Sequence, residues 1–172
     1  MSARRFRSRA RPRFCVRKMP HDLNIVLVEP QIPQNTGSVG RLCLATGSTL
    51  HLVDPLGFEI THSRLKRAGL DYWEHLKVVR HASVEEFLKS MPPNAPKVFL
   101  SKKAGHTLFE HHFKPGTYLI FGQETAGLPE WIIDSHPTDT IRIPMYDARV
   151  RSLNLATAVS IVAYEAIRQL GP

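Results

Sequence analysis

TYLIFGQETAGLP, residues 117–129, opens as a short apolar run and closes as a loop in which two glycines flank a lone acid. The run suits a buried strand. Gly122 follows it directly, where a residue without Cβ lets a ligand approach the backbone. Gly127 lets the loop turn back, and Pro129 falls in the first turn of a short helix, PEWIIDSH. Glu124 can hold backbone amides or a ligand amine. Taken alone, the stretch is equally compatible with an ordinary strand-to-helix turn, so its neighbours decide the reading.

On both sides the chain repeats the same alternation. Toward the N-terminus, LNIVLVE (23–29), LHLVD (50–54), KVVR (77–80, an edge strand) and KVFLS (97–101) read as strands, and TIRIP (140–144) is the last. Between them, NTGSVGRLCLAT reads as a helix capped by Asn35 and stopped by Gly47. HSRLKRAG (62–69) suggests a further short helix, and SVEEFLKSM carries Ser83 and Glu86 at capping-box spacing. The longest helix is expected over Leu153–Leu170, with Ser152 as its cap. Strands alternating with helices imply a single α/β domain over 23–172, a mostly parallel sheet with helices on both faces. In such sheets ligands bind beyond the carboxyl ends of strands. Three loops qualify: those after Leu100, after Phe121 and after Ile143.

Composition removes several function classes. The chain has 172 residues, 42% hydrophobic and 22% charged, as expected of one globular domain. No apolar run approaches the ~20 residues that span a bilayer, so no membrane partner is expected. Two cysteines without a CxxC pair argue against a disulfide framework or a structural zinc site, and suit a reducing cytoplasm. His106, His111 and His112 lie in a stretch without helical periodicity and read as exposed loop residues, so no metal is expected. GxGxxG, GxxxxGK[ST] and GxSxG are all missing, which leaves no support for a dinucleotide fold, a P-loop or a serine elbow. Of the 23 basic residues, eight precede residue 19 with no acid among them, leaving fifteen bases against fifteen acids. The high charge therefore belongs to the 1–22 extension. That extension reads as a basic RNA-binding arm, a targeting segment, or sequence upstream of a start at Met19. Local cationic candidates elsewhere are Arg64, Lys66 and Arg67, Lys102 and Lys103, and Arg149 and Arg151.

Three ordered segments give the chain a family likeness: EPQIPQNTGSVGRLC (29–43), FGQETAGLP (121–129) and IRIPMYDARVRSLNLATAVSIVAYEA (141–166), with KRAGLDYW at 66–73. Together they resemble the SPOUT superfamily of methyltransferases, and most closely the tRNA (cytidine(34)-2′-O)-methyltransferase family, over about residues 23–171. The resemblance implies a C-terminal deep trefoil knot, a homodimer pairing the last helices with Tyr164 near the partner's site, and S-adenosylmethionine as cofactor. It implies a cofactor site made of Leu100, Gly122, Glu124, Ile143, Met145, Ser152 and Leu153. The implied reaction is 2′-O-methylation of a tRNA wobble nucleotide in the anticodon loop. A related enzyme for another tRNA or rRNA position, or an RNA-binding protein without activity, is the alternative. Gln123 departs from the family pattern, which often has proline there.

The reaction needs one further group, because a ribose hydroxyl is a weak nucleophile. Arg41 matches the arginine that the superfamily's 2′-O-methylating members place beside that hydroxyl. With a pKa above ~12 it is a poor base. Orienting a phosphate and the hydroxyl, or stabilising the alkoxide, suits it better, and a structural ion pair with a carboxylate is the plain alternative. Asn35 resembles the family's motif asparagine, and helix capping explains it equally well.

Overall fold

The computed structural model describes residues 21–59 and 71–171. The basic extension before residue 21, the helix expected near 63–69 and the cations Arg64, Lys66 and Arg67 lie outside the described residues. Among the described residues there are seven strands: β1 (Asn24–Val28), β2 (Thr49–Val53), β3 (Val78–His81), β4 (Lys97–Leu100), β5 (His106–Thr107), β6 (Tyr118–Phe121) and β7 (Thr140–Arg142). Four helices accompany them: α1 (Pro33–Thr46), α2 (Val84–Ser90), α3 (Glu130–Ser135) and α4 (Leu155–Leu170).

The strands form one sheet in the order β3-β2-β1-β6-β4-β7-β5, and every pairing in it is parallel. The late strands enter between earlier ones: β6 lies between β1 and β4, and β7 between β4 and β5. This order puts β1, β6, β4 and β7 side by side, so the loops leaving their carboxyl ends converge.

The central strands β1 and β6 are apolar on both faces because helices cover both. Alternate residues of β1 go to opposite cores. Ile25 and Leu27 pack with Val39 and Cys43 of α1 and with Val159 and Val162 of α4. Val26 and Val28 pack with Phe87 of α2 and Ile132 of α3. Cys43 is fully buried, and burial pushes its thiol up to about 12, so it is an inert core residue.

Helix ends follow local chemistry in two places and depart from expectation in two. Gly47 ends α1 with φ +70°, a left-handed conformation that glycine adopts without strain. Ser83 caps α2 by accepting from the Glu86 amide at 3.2 Å, while the Glu86 carboxylate accepts from Ala82 N at 2.8 Å. Asn35, however, is not a cap: α1 starts two residues earlier, with Pro33 in its first turn and Ile32 at the cap position. Ser152 is not a cap either. Asn154 caps α4, its side chain accepting from Thr157 N at 3.3 Å. The two-residue edge strand β5, next to β7, was not expected, and it takes in His106.

One polar cluster interrupts the second core. His51 of β2 and His81 of β3 stack with ring centroids 5.3 Å apart, against Phe87 and Tyr118. Asn24 Nδ2 donates to the carbonyls of Asp22 and Gly116, so its Oδ1 faces His51 Nε2 at 3.1 Å and must accept. His51 therefore carries its proton on Nε2, and its Nδ1 accepts from His81 Nε2–H at 3.0 Å. Burial, and then the neighbouring His81, depress the pKa of His51 to about 4 from 6.5. As pH falls, the unfolded chain takes up this proton before the folded one does. The stability from the neutral pair is thus complete above about pH 6.5 and is lost toward pH 4. We expect the melting temperature to fall across that window while the ¹⁵N resonances of His51 stay those of a neutral, Nε2-protonated ring. A His51 ring that titrates near 6.5 would refute the arrangement.

Candidate active site

At the carboxyl ends of β4, β6 and β7 lies a partly open cleft of about 250 Å³. Leu100 contributes from the end of β4, Gly122 and Glu124 from the loop after β6, and Ile143, Met145, Ser152 and Leu153 from the segment joining β7 to α4. All seven residues expected at a cofactor site thus line one cavity. Leu128, Ile133 and Ala158 add apolar wall, and Lys102, Lys103 and Glu130 stand at the rim.

The loop after β6 owes its shape to its glycines. Gln123 N donates to Gly127 O at 3.1 Å and Gly127 N to Gln123 O at 2.9 Å, so the loop closes on itself within five residues. Gly127 sits at φ +74° to make that turn. A Cβ on Gly122 would meet the Gly127 carbonyl carbon at 2.1 Å and Leu128 N at 2.2 Å. Gly122 is therefore glycine because the returning loop crosses it, which corrects the expectation that ligand approach alone demands it.

Glu124 is the centre of the arrangement. Its carboxylate accepts from the amides of Gln31 (2.9 Å) and Ile32 (3.2 Å) and from Asn35 Nδ2 (3.0 Å). Asn35 Oδ1 in turn accepts from Asn154 Nδ2 at 2.9 Å, and Asn154 caps α4. One chain of hydrogen bonds therefore ties the start of α1, the β6 loop and the start of α4. Burial pushes the Glu124 pKa up, but the bonds from Asn35, Gln31 and Ile32 outweigh it and hold the group below the usual carboxylate value. Of the two roles open to Glu124 in the sequence, the structure shows the grip on backbone amides. Asn154 has its own sequence signal, Asn154 with Thr157 three residues on at the head of an apolar helix, which the expectation of Ser152 passed over.

Gln123 and Glu29 form a second clasp. Gln123 Nε2 donates to Glu29 Oε2 at 2.6 Å, and Glu29, directly after β1, sits at φ +50°, a strained value for a residue with a side chain. A proline at 123 could supply neither this donor nor the amide that closes the loop.

Arg41 is not part of the cleft lining. It is exposed, about 9 Å beyond Asn35 along α1 at ~1.5 Å per residue. Among the described residues no carboxylate forms an ion pair with it. Its guanidinium lies over the Tyr72 ring, 5.2 Å from the centroid. Of the cationic candidates, Lys103 is bound to Glu130, and Arg149 makes a two-pronged pair with Asp147 at 2.6–3.2 Å, while Lys102 and Arg151 are exposed. His106 and His112 are exposed, whereas His111 is half-buried against Phe113.

Comparison with known proteins identifies the family. Residues 22–164 match the SpoU rRNA Methylase family. The tRNA (cytidine(34)-2′-O)-methyltransferase of Escherichia coli strain K12 is 48% identical over 151 residues, covering 87% of this chain and 94% of that protein. A solved structure described as giving insights into 2-OH methylation of C/U34 on tRNA superposes with a TM-score of 0.82 at 48% identity, over 88% of this chain and 97% of the other. A SpoU methyltransferase from Streptomyces viridochromogenes in complex with AdoMet superposes with a TM-score of 0.72 at 26% identity, over 87% of this chain and 61% of that one.

The Gly122 geometry makes a specific prediction. Gly122→Ala should lower stability by about 1–3 kcal/mol, the usual effect of forcing a side chain into filled space, and should weaken cofactor binding in the same step. Calorimetry and thermal melts check it, and a variant with wild-type melting temperature and cofactor affinity would show that the loop tolerates the crossing.

Proposed function

Because the chain belongs to the SpoU rRNA methylase family, we propose that it transfers a methyl group from S-adenosylmethionine to the ribose 2′-hydroxyl of nucleotide 34 in a tRNA anticodon loop. One observation carries the reading. Leu100, Gly122, Glu124, Ile143, Met145, Ser152 and Leu153, drawn from three separate segments, line a single cleft. Its chemistry fits the cofactor. Leu100, Ile143 and Leu153 offer apolar surface for an adenine, and the closely turned β6 loop offers backbone groups for the ribose. When bound, S-adenosylmethionine supplies an electrophilic methyl group. The chain's own residues have to fix that group in place and make a poor nucleophile competent.

Glu124 does the first indirectly, by holding the β6 loop against the start of α1. Arg41 is the residue we assign to the second. Its planar, permanently charged fork can orient a phosphate and the hydroxyl, or stabilise charge developing on oxygen. The same reading places the protein in the cytoplasm, where tRNA is modified, and includes the knotted C-terminal segment. Insertion of β6 and β7 between strands already laid down supports the knot. It also includes a homodimer. Ile161 and Tyr164 stand exposed along α4, and Leu44 along α1, the helix that packs beside it. Apolar side chains grouped on neighbouring helices favour burial against a second copy. Among the described residues no helix is long and apolar enough to cross a membrane.

Three measurements test the reading. With radiolabelled cofactor and a tRNA transcript, label is expected on the ribose of nucleotide 34 and should vanish when that nucleotide alone is 2′-deoxy. Arg41→Ala should lose most single-turnover activity at unchanged cofactor affinity, and Arg41→Lys should restore little, since a point charge replaces a fork. Near-normal transfer by the alanine variant would remove Arg41 from the chemistry. For assembly, light scattering should give twice the chain mass at micromolar concentration, and a fully active monomer would overturn the dimer.

A further inference from the structure

We infer that Tyr72 is a positioning residue for Arg41, an inference that rests on the assignment of Arg41 above. The turn of helix at Asp71–His75 is docked onto α1 through Tyr72 and Trp73. Tyr72 Oη donates to the Gly37 carbonyl at 2.6 Å. The face of the Tyr72 ring then lies under the Arg41 guanidinium, 5.2 Å from centroid to Cζ. Next to it, the Trp73 ring covers Gly40 so closely that a Cβ there would come within 2.8 Å of it.

The geometry is selective. Gly37 is four residues before Arg41, so its carbonyl is the one that closes the helical turn beginning the Arg41 backbone. The hydroxyl thus anchors the ring to the very turn from which Arg41 projects, with the ring beneath the guanidinium. Gly40 lets the neighbouring indole reach the helix, which fixes the segment from the other side. An exposed arginine otherwise samples many rotamers. A ring seated on its own helical turn narrows that set, and a planar cation above an aromatic face is held electrostatically as well as by packing. Since Arg41 has no carboxylate partner among the described residues, Tyr72 is the contact that directs its side chain. A displacement of about 1 Å in a reacting geometry can slow a step by about 100-fold, so a modest contact here acts on rate.

The test is a double-mutant cycle on the full chain, read as single-turnover methylation at saturating tRNA and cofactor. Tyr72→Phe loses the bond to Gly37 but keeps the ring, still seated by the packing of Trp73 on Gly40, and should stay within about threefold of wild type. Tyr72→Leu keeps apolar bulk without the π face and should slow transfer at least tenfold at unchanged cofactor affinity. In an Arg41→Ala background, Tyr72→Leu should slow it no further, because its effect passes through Arg41. A merely structural role would slow both backgrounds alike, and that outcome overturns the inference, as does a Tyr72→Leu enzyme of normal rate beside an inactive Arg41→Ala enzyme. An Arg41→Ala enzyme of normal rate instead overturns the Arg41 assignment itself. Should Tyr72→Leu fold poorly or residual rates prove too low, the ¹⁵Nε–¹Hε resonance of Arg41 decides independently. In wild type and Tyr72→Phe it should be shifted upfield by the ring below it, and an unshifted signal refutes the contact.

Discussion

The carboxylate of Glu124 is the constraint from which the rest of the site follows. It has two oxygens and three donors on them, two from the amides of Gln31 and Ile32 just ahead of α1 and one from Asn35. A helix N-terminus presents donors with no intrahelical partner and a partial positive charge, so an acid fixed there is favoured twice. Pro33 removes one amide that would otherwise compete, and Ile32 provides no side-chain cap. The acid that completes α1 thus arrives from about ninety residues later in the chain. That separation makes the contact a long-range tie: it joins the start of α1 to the loop after β6, the strand paired with β1.

Asn35 extends the constraint to the last helix. As a side chain with a donor and an acceptor end, it gives its Nδ2 to Glu124 and its Oδ1 to Asn154. Asn154 is then fixed by the Thr157 amide of α4. The segment from Ile143 to Leu153 is held at both ends, by β7 and by this asparagine, and can line the cleft without regular structure of its own. Glu29 and Gln123 add a parallel clasp one strand across, where positive φ at Glu29 concentrates backbone strain beside the site. Polar groups that satisfy one another completely can be packed close to an apolar cleft, whereas a half-satisfied set there would be costly.

Much of this was legible in the sequence, for identifiable reasons. Parallel strands covered on both faces are continuous apolar runs, so β1, β2, β4 and β6 stood out, and Gly47 and Ser83 marked helix ends by chemistry that acts within a few residues. Loops at the carboxyl ends of such strands are where the architecture puts ligands, and the resemblance then named the seven lining residues. What failed was capping at the two helix starts that belong to the site. Asn35 and Ser152 were each expected to serve a neighbouring amide, because local bonding is the only kind a linear pattern can express. In the fold Asn35 is spent on a residue 89 positions away, and Asn154 takes the cap instead. Gly122 was read correctly as a close approach, but the approaching atoms are those of Gly127 and Leu128. The pairing of Tyr72 with Arg41 had no local signal at all, being a contact between a helix and a turn thirty-one residues on.

Arg41 shows why these constraints matter together. It lies outside the cleft lining, so the role proposed for it depends on where α1 is held and on which way the side chain leaves it. The first is set at the amino end by Glu124 and along the helix by the packing of Trp73 on Gly40. The second is set by the Tyr72 ring, itself tied to the Gly37 carbonyl. The helix therefore runs from the β6 loop, where Glu124 ties its start, to the Asp71–His75 turn, which docks beside Arg41. Among the described residues, Lys103 and Arg149 are engaged by Glu130 and Asp147, whereas no carboxylate pairs with Arg41. A guanidinium held on an aromatic face gives up little hydration and no ion pair when an anion arrives, which is the condition for an arginine to act on a substrate and not on its own fold.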